Sequence, residues 1–251
     1  MKVVAVKGLY GGAGTTTVTA NLASALRRRQ HPVVAVDLCA TNMLRLHFGM
    51  PVNDRRGLFK AGELVDDLAN AAFETEQGLI YLPYGDVSEQ PERTDIEQLL
   101  QRLYDLLAKF SSEQTLIVLI DMPNAEPQML SWLAAHTDIM LHVLSPDPRV
   151  YPALHYFSMK QWPLIQAEQL QHYFVLNQCA PQLELNRDII DLLRYELAPE
   201  LLLPTYIQRD QHLPEAFATQ QAAIDFTLGA QANVDFVAIA EWLELRLLEA
   251  K

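Results

Sequence analysis

GLYGGAGTTT, residues 8–17, joins an apolar run, VVAV at 3–6, to TTTVTANLASALRRR at 15–29, which reads as a helix with Val18, Leu22, Ala25 and Leu26 on one side. A glycine-rich turn between a buried strand and a helix N-terminus aims several backbone N–H groups at one point, and the helix dipole adds positive potential there. Such a turn cradles phosphate, but this one lacks the usual lysine. Against the pattern G-x-x-x-x-G-K-[ST], Gly14 takes the second glycine and Thr16 the metal-binding hydroxyl, with Thr17 a second hydroxyl beside it; Leu9 stands at the first glycine and Thr15 at the lysine. The exchange removes one charge-assisted hydrogen bond, worth ~1.5–3 kcal/mol, and weakens binding without abolishing it. The N–H groups of Gly11, Gly12, Ala13, Gly14, Thr15 and Thr16 still form an anion nest.

Two other readings of these residues stay open. The dinucleotide fingerprint G-x-G-x-x-G accepts Gly12 and Gly14 but needs a glycine where Thr17 stands; Asp37, about twenty residues on, lies where a ribose-binding acid would. The third reading is a glycine turn into a Thr-capped helix with no ligand.

Beyond the loop, apolar β-branched runs alternate with helical stretches. Strands are expected at 32–37, 79–83, 115–121, 138–144, 172–177 and 201–207. Helices are expected over about 94–110, where Ile96, Leu99, Leu100, Leu103 and Leu107 share a face, over 150–162 and 186–197, and in the amphipathic VDFVAIAEWLELRLLEA at 234–250. This order predicts an α/β fold, a doubly wound, mostly parallel sheet with helices on both faces, as one domain spanning 1–251. Ligands on such sheets sit at the carboxyl ends of the strands. There Asp37 and Asp121 each close an apolar strand, and an acid in that place holds Mg²⁺ through water in phosphate-loop proteins.

Composition narrows the partners. A formal net charge of -12 opposes unaided binding to nucleic acid, because phosphate repulsion dominates. The one basic run, RRR at 27–29, reads as the solvated end of a helix. Cys39 and Cys179 have no metal-ligand spacing and suit a reducing compartment. No run reaches the ~18–20 apolar residues needed to cross a bilayer. The expectation is a cytoplasmic protein without direct membrane insertion, reaching the inner membrane only through protein partners. The C-terminal polar face carries Glu241, Glu244 and Glu249 against Arg246 and Lys251, which anionic lipid would repel, so this helix is expected to pack on the domain itself or to contact a protein partner.

GGAGTTT, VVAVDLCATNMLRLHFG and LIVLIDMP together resemble the deviant-Walker P-loop ATPases of the MinD/ParA group. Within that group they are similar to the BcsQ family of bacterial cellulose-biosynthesis proteins, in the threonine at the loop lysine, the cysteine two residues after Asp37 and the NMLRLHF run. The resemblance covers nearly the whole chain, including LLPTYIQRDQHLPEAFATQQ. It implies ATP and Mg²⁺ as cofactors, with Gly11, Gly12, Gly14, Thr15, Thr16 and Thr17 around the phosphates and the metal. It also implies Asp37 and Asp121 as metal-side carboxylates, Asn177 as the adenine-reading asparagine, and Arg209 and Asp210 in the segment over the base. A nucleotide-dependent homodimer and docking on other cytoplasmic subunits of the cellulose synthesis and secretion complex follow from the same resemblance.

Three departures bear on turnover. The group's signature lysine aligns with Tyr10, its loop lysine with Thr15, and its water-positioning aspartate with Cys39. Losing one electrostatic stabiliser commonly costs ~10²–10³ in rate, so rapid hydrolysis is not expected and no catalytic residue is assigned. Lys7, a turn upstream, either supplies a substitute charge to the loop or, as the end of a buried strand, points elsewhere; the second is the expectation. Three outcomes stay open: a nucleotide-binding switch with weak or no hydrolysis, a slow but true ATPase, and a nucleotide-free scaffold.

Overall fold

In the computed structural model, VVAV lies within strand β1 (Lys2–Gly8), whose five central residues are all buried. Residues 1–60, 63–86, 96–109, 114–122 and 127–248 are described. Strands β2 (Val33–Asp37), β7 (Ile117–Met122) and β8 (Ile139–Leu144) are buried along their whole length. Their continuous Val, Ile and Leu content is what a parallel strand covered on both faces requires.

The main sheet adds β5 (Phe73–Glu74), β6 (Ile80–Leu82) and β9 (Gln171–Leu176), in the order β5-β6-β2-β7-β1-β8-β9. Every pairing is parallel except β5 with β6. A two-stranded antiparallel pair, β3 (Phe59–Lys60) and β4 (Glu63–Leu64), is tied to the chain just after β6 by the Phe59 N–H donating to Tyr84 O at 2.8 Å.

Alternation along β1 divides the core. Val4 and Val6 face α1 (Thr15–Arg28) and the C-terminal helix α8 (Gln231–Leu248), meeting Val18, Leu22, Phe236 and Leu243. Val3 and Ala5 face the other layer, built by α2 (Ile96–Ala108), α3 (Pro127–Ala135), α4 (Val150–Tyr156) and α5 (Glu184–Glu196). Fully burying one such apolar side chain contributes ~1.5–3 kcal/mol. Short helices α6 (His212–Ala218) and α7 (Ala223–Phe226) precede α8.

The basic run at 27–29 is absorbed by the fold. Arg27 Nε donates to Gly78 O at 2.9 Å, Arg28 pairs with Asp225 at 2.9 Å, and Arg29 bridges Glu241 at 2.8 Å and Glu244 at 2.6 Å. Those bridges tie the acidic face of α8 to the end of α1. Glu249 and Lys251 lie outside the described residues, and no helix among those described is long and apolar enough to cross a membrane.

Two expectations are corrected. LLLPTYI at 201–207 is not a strand: Leu203 and Ile207 N–H groups bond to Phe174 O and Leu176 O beside β9, but Pro204 between them has no N–H to continue a ladder. The helix expected over 150–162 keeps α-geometry only to Tyr156; Phe157–Gln161 widens into a π-turn and Trp162–Leu164 tightens into a 3₁₀ turn ahead of Ile165.

Candidate phosphate loop and nucleotide cavity

The sequence expectation of a loop at the carboxyl end of β1 places it at the switch point of the sheet. From β1 the chain crosses to β2 on one side, and only later to β8 on the other, with β7 inserted between β1 and β2. A dinucleotide-binding sheet keeps its first two strands adjacent. The interposed β7 therefore excludes the dinucleotide reading, and it brings Asp121 beside the loop.

Gly12 and Gly14 adopt φ of +91° and +87°, the left-handed region that glycine enters at no steric cost. Gly14 is also the N-cap of α1; it offers no side-chain acceptor, and no acidic residue stands in the first turn. The first N–H groups of a 14-residue helix are thus left for a ligand. Gly11 and Gly12 are exposed, Ala13 is buried, and Gly14 and Thr15–Thr17 are half-buried.

Thr16 Oγ1 donates to Asp121 Oδ2 at 2.7 Å. Asp121 Oδ1 is buried with no partner among the described residues. Across the register lies Asp37, and the donor atoms of Asp37, Cys39 and Asp121 all fall within 4.8 Å of one another. Burial pushes the Asp121 carboxyl up to about 7. Burial and the charge of Asp121 push Asp37 well above the usual range, too. An orphaned carboxylate oxygen beside a threonine hydroxyl is a hard oxygen donor set of the kind Mg²⁺ takes, so the residues fit that ion. Asp37 contributes less directly: its Oδ1 and Oδ2 accept the N–H groups of Cys39 at 2.8 Å and Leu44 at 3.1 Å, fixing the loop after β2. Arg45, buried, donates to the carbonyls of Asn42, Pro51, Val52 and Asp54, which accounts for the LRLHF run as scaffold.

Asn177, directly after β9, donates from Nδ2 to Ala13 O at 2.8 Å, while its Oδ1 is buried without a partner among the described residues. Gly14, Thr17, Asn177, Arg209, Asp210 and Phe217 line one cavity of about 510 Å³. Arg209 is exposed. Asp210 is engaged by the chain: Oδ1 accepts the His212 N–H at 2.9 Å and Oδ2 the Ala232 N–H at 3.0 Å, so its carboxylate anchors α8 at the cavity rim.

Two of the positions where the resemblance places turnover groups, Cys39 and Tyr10, make contacts within this chain. Cys39 Sγ lies 3.8 Å from Asp121 O, and burial holds its thiol protonated, far above the usual range. Tyr10 folds back on its own chain, its hydroxyl donating to Ser145 O at 2.8 Å and Asp147 Oδ2 at 3.0 Å. Lys7 is fully buried and donates to Gln161 Oε1 at 2.9 Å and to Gly8 O at 3.2 Å, with burial lowering its ammonium to about 8.

Comparison with known proteins gives the family. The profile described as "Cellulose biosynthesis protein BcsQ" matches residues 1–243. The chain belongs to the BcsQ family. It is 28% identical to the cellulose biosynthesis protein BcsQ of Escherichia coli K12 over 96% of this chain and 94% of that one. The BcsQ-family fold is that of the cell division ATPase MinD from Pyrococcus furiosus, with a TM-score of 0.69 and 22% identity over 97% of this chain and 98% of that one. It also matches cobyrinic acid a,c-diamide synthase from Mycobacterium smegmatis, solved with an ATP analogue and magnesium, at a TM-score of 0.71 and 20% identity over 100% and 97% of the two chains.

Sequence reasoning missed Asp147, Arg149 and Gln178. Gln178, at φ +59°, donates from Nε2 to Gly12 O at 3.1 Å, and Arg149 lies against Gly12. SPDPR at 145–149 follows a strand that only the sheet order reveals as β1's neighbour, so knowledge of that order was the missing signal.

Proposed function

We propose that this BcsQ-family chain is an ATP- and Mg²⁺-binding regulatory subunit of bacterial cellulose synthesis and secretion, dimerising around nucleotide with weak or no hydrolysis. The observation that carries the reading is the open N-terminus of α1 behind two left-handed glycines, with Thr16 bonded to an otherwise unsatisfied Asp121. Thr16 and Asp121 would hold the magnesium ion, whose charge would offset that of the phosphates. The loop N–H groups bind the phosphate oxygens, and Asn177 Oδ1 accepts from an amino group of the base. The name of the E. coli relative supports the cellulose role, and the ATP analogue and magnesium of the M. smegmatis synthase support the cofactors.

Weak hydrolysis rests on the same chain. Turnover needs a group to orient water and cations to meet developing charge; Cys39 is a neutral thiol and Tyr10 a phenol tied to Asp147. The partners are a second copy of the chain and other cytoplasmic subunits of the secretion complex. Light scattering with and without Mg-ATP, alongside phosphate release from the same sample, tests this. A mass that doubles with ATP and negligible phosphate is expected. Turnover of several per second, abolished by Asp121→Ala, would replace the switch with an ATPase, and normal cellulose export in a deletion strain would remove the pathway.

A further inference from the structure

Thr15 and Tyr10 leave the phosphate loop without either of its lysines, yet a cation stands beside it. Arg149, in the turn after β8, lies with its guanidinium carbon 5.0 Å from the Tyr10 ring centroid. Its Nε donates to Asp147 Oδ1 at 3.1 Å and its Nη2 to Asp147 Oδ2 at 2.9 Å, a bidentate fork. Asp147 is itself fixed by the Tyr10 hydroxyl and by the Arg149 backbone N–H at 2.8 Å. The remaining nitrogen, Nη1, would lie 3.9 Å from a β-carbon placed on Gly12 and has no partner among the described residues.

We infer that Arg149 is a phosphate-contacting cation of this loop, donating from Nη1 to the phosphate end of the bound nucleotide in place of the missing lysines. The inference rests on the nucleotide reading above and adds a residue to it. The fork matters because a flexible arginine loses rotamer freedom on binding, whereas one already held by a carboxylate and an aromatic face loses less. The same assembly gives Tyr10 a task. At the signature position it supplies no charge, and instead its ring and hydroxyl hold the arginine that does. The contact is with this chain's own Gly12, so the nucleotide served is the chain's own.

Calorimetry with Mg-ATP, Mg-ADP and AMP on the full chain, wild type against Arg149→Ala, tests this. Arg149→Ala should weaken ATP by roughly ten- to hundredfold, the range of one charge-assisted hydrogen bond, and should weaken AMP little. The melting temperature without nucleotide should stay near wild type, since the side chain is 65% exposed. Arg149→Ala also uncovers the Asp147 carboxylate, so the double variant Asp147→Asn/Arg149→Ala is measured beside it. Retained weakening in the double variant supports a direct contact, and recovery to wild-type affinity overturns it. Unchanged ATP affinity with lost dimerisation would move the guanidinium to the subunit contact and also overturn it. Absence of ATP binding by the wild type would remove the nucleotide reading itself, whereas equal binding by wild type and Arg149→Ala would remove this inference alone.

Discussion

Asp37 and Asp121 stand directly opposite each other on β2 and β7, both fully buried, and only Asp121 keeps a carboxylate oxygen without a partner among the described residues. Two carboxyls so close do not both ionise readily in a low-dielectric site. Burial of the pair therefore favours its protonated form, and a divalent cation bound there would favour the ionised one.

The apo protein should lose stability as pH rises from about 4 to about 7. Asp121 is pushed up to about 7, mainly by burial; the native state then keeps a proton that the unfolded chain has released, and the slope of stability against pH is negative through that window. Denaturant titrations across this range check it. Asp121→Asn should make the profile shallower, the part due to burial of Asp37 remaining, and raise apo stability at pH 7.5 by on the order of 2–4 kcal/mol. An unchanged slope would show that the pair is not strained.

Lys7 gives the opposite sign at higher pH. Burial lowers its ammonium to about 8, so between about 8 and 10.5 the unfolded chain binds the extra proton and stability rises with pH. Lys7→Met should remove that rise and stabilise the protein at pH 7 by up to ~3 kcal/mol. Chemical denaturation at pH 7 and pH 9.5 separates the two variants.

Gly14 tolerates no side chain. Its φ is +87°, and an added β-carbon would collide with the Asn177 side-chain nitrogen. Gly14→Ala should cost ~1–3 kcal/mol and disturb the Asn177–Ala13 bond together with nucleotide affinity. Thermal melts alongside ATP titration check both, and wild-type values for either would contradict the geometry.

Thr15→Lys should tighten Mg-ATP by roughly tenfold, restoring one charge-assisted hydrogen bond. Phosphate release should remain near background, because Cys39 still lacks a carboxylate. Turnover restored by this one change would show that water positioning was never lost.

The central strands were legible because full burial on both faces demands unbroken apolar runs, as in IVLI at 117–120. The loop was legible because left-handed φ at positions 12 and 14 demands glycine. What could not be read depended on neighbours distant in sequence. The strand order that separates β1 from β2 is set by packing across the sheet, and with it came Asp147 and Arg149. The edge strand β5, two residues long, carries too little pattern to register. LLLPTYI has strand composition, yet one proline decides against it.

The most direct test of the account is an Mg-ATP titration by calorimetry of the wild type and Thr16→Ala at pH 7.5. One site per chain is expected in the wild type, with an affinity at least about tenfold weaker in Thr16→Ala. No heat of binding at millimolar ATP in the wild type, or equal affinity in the two proteins, would contradict it.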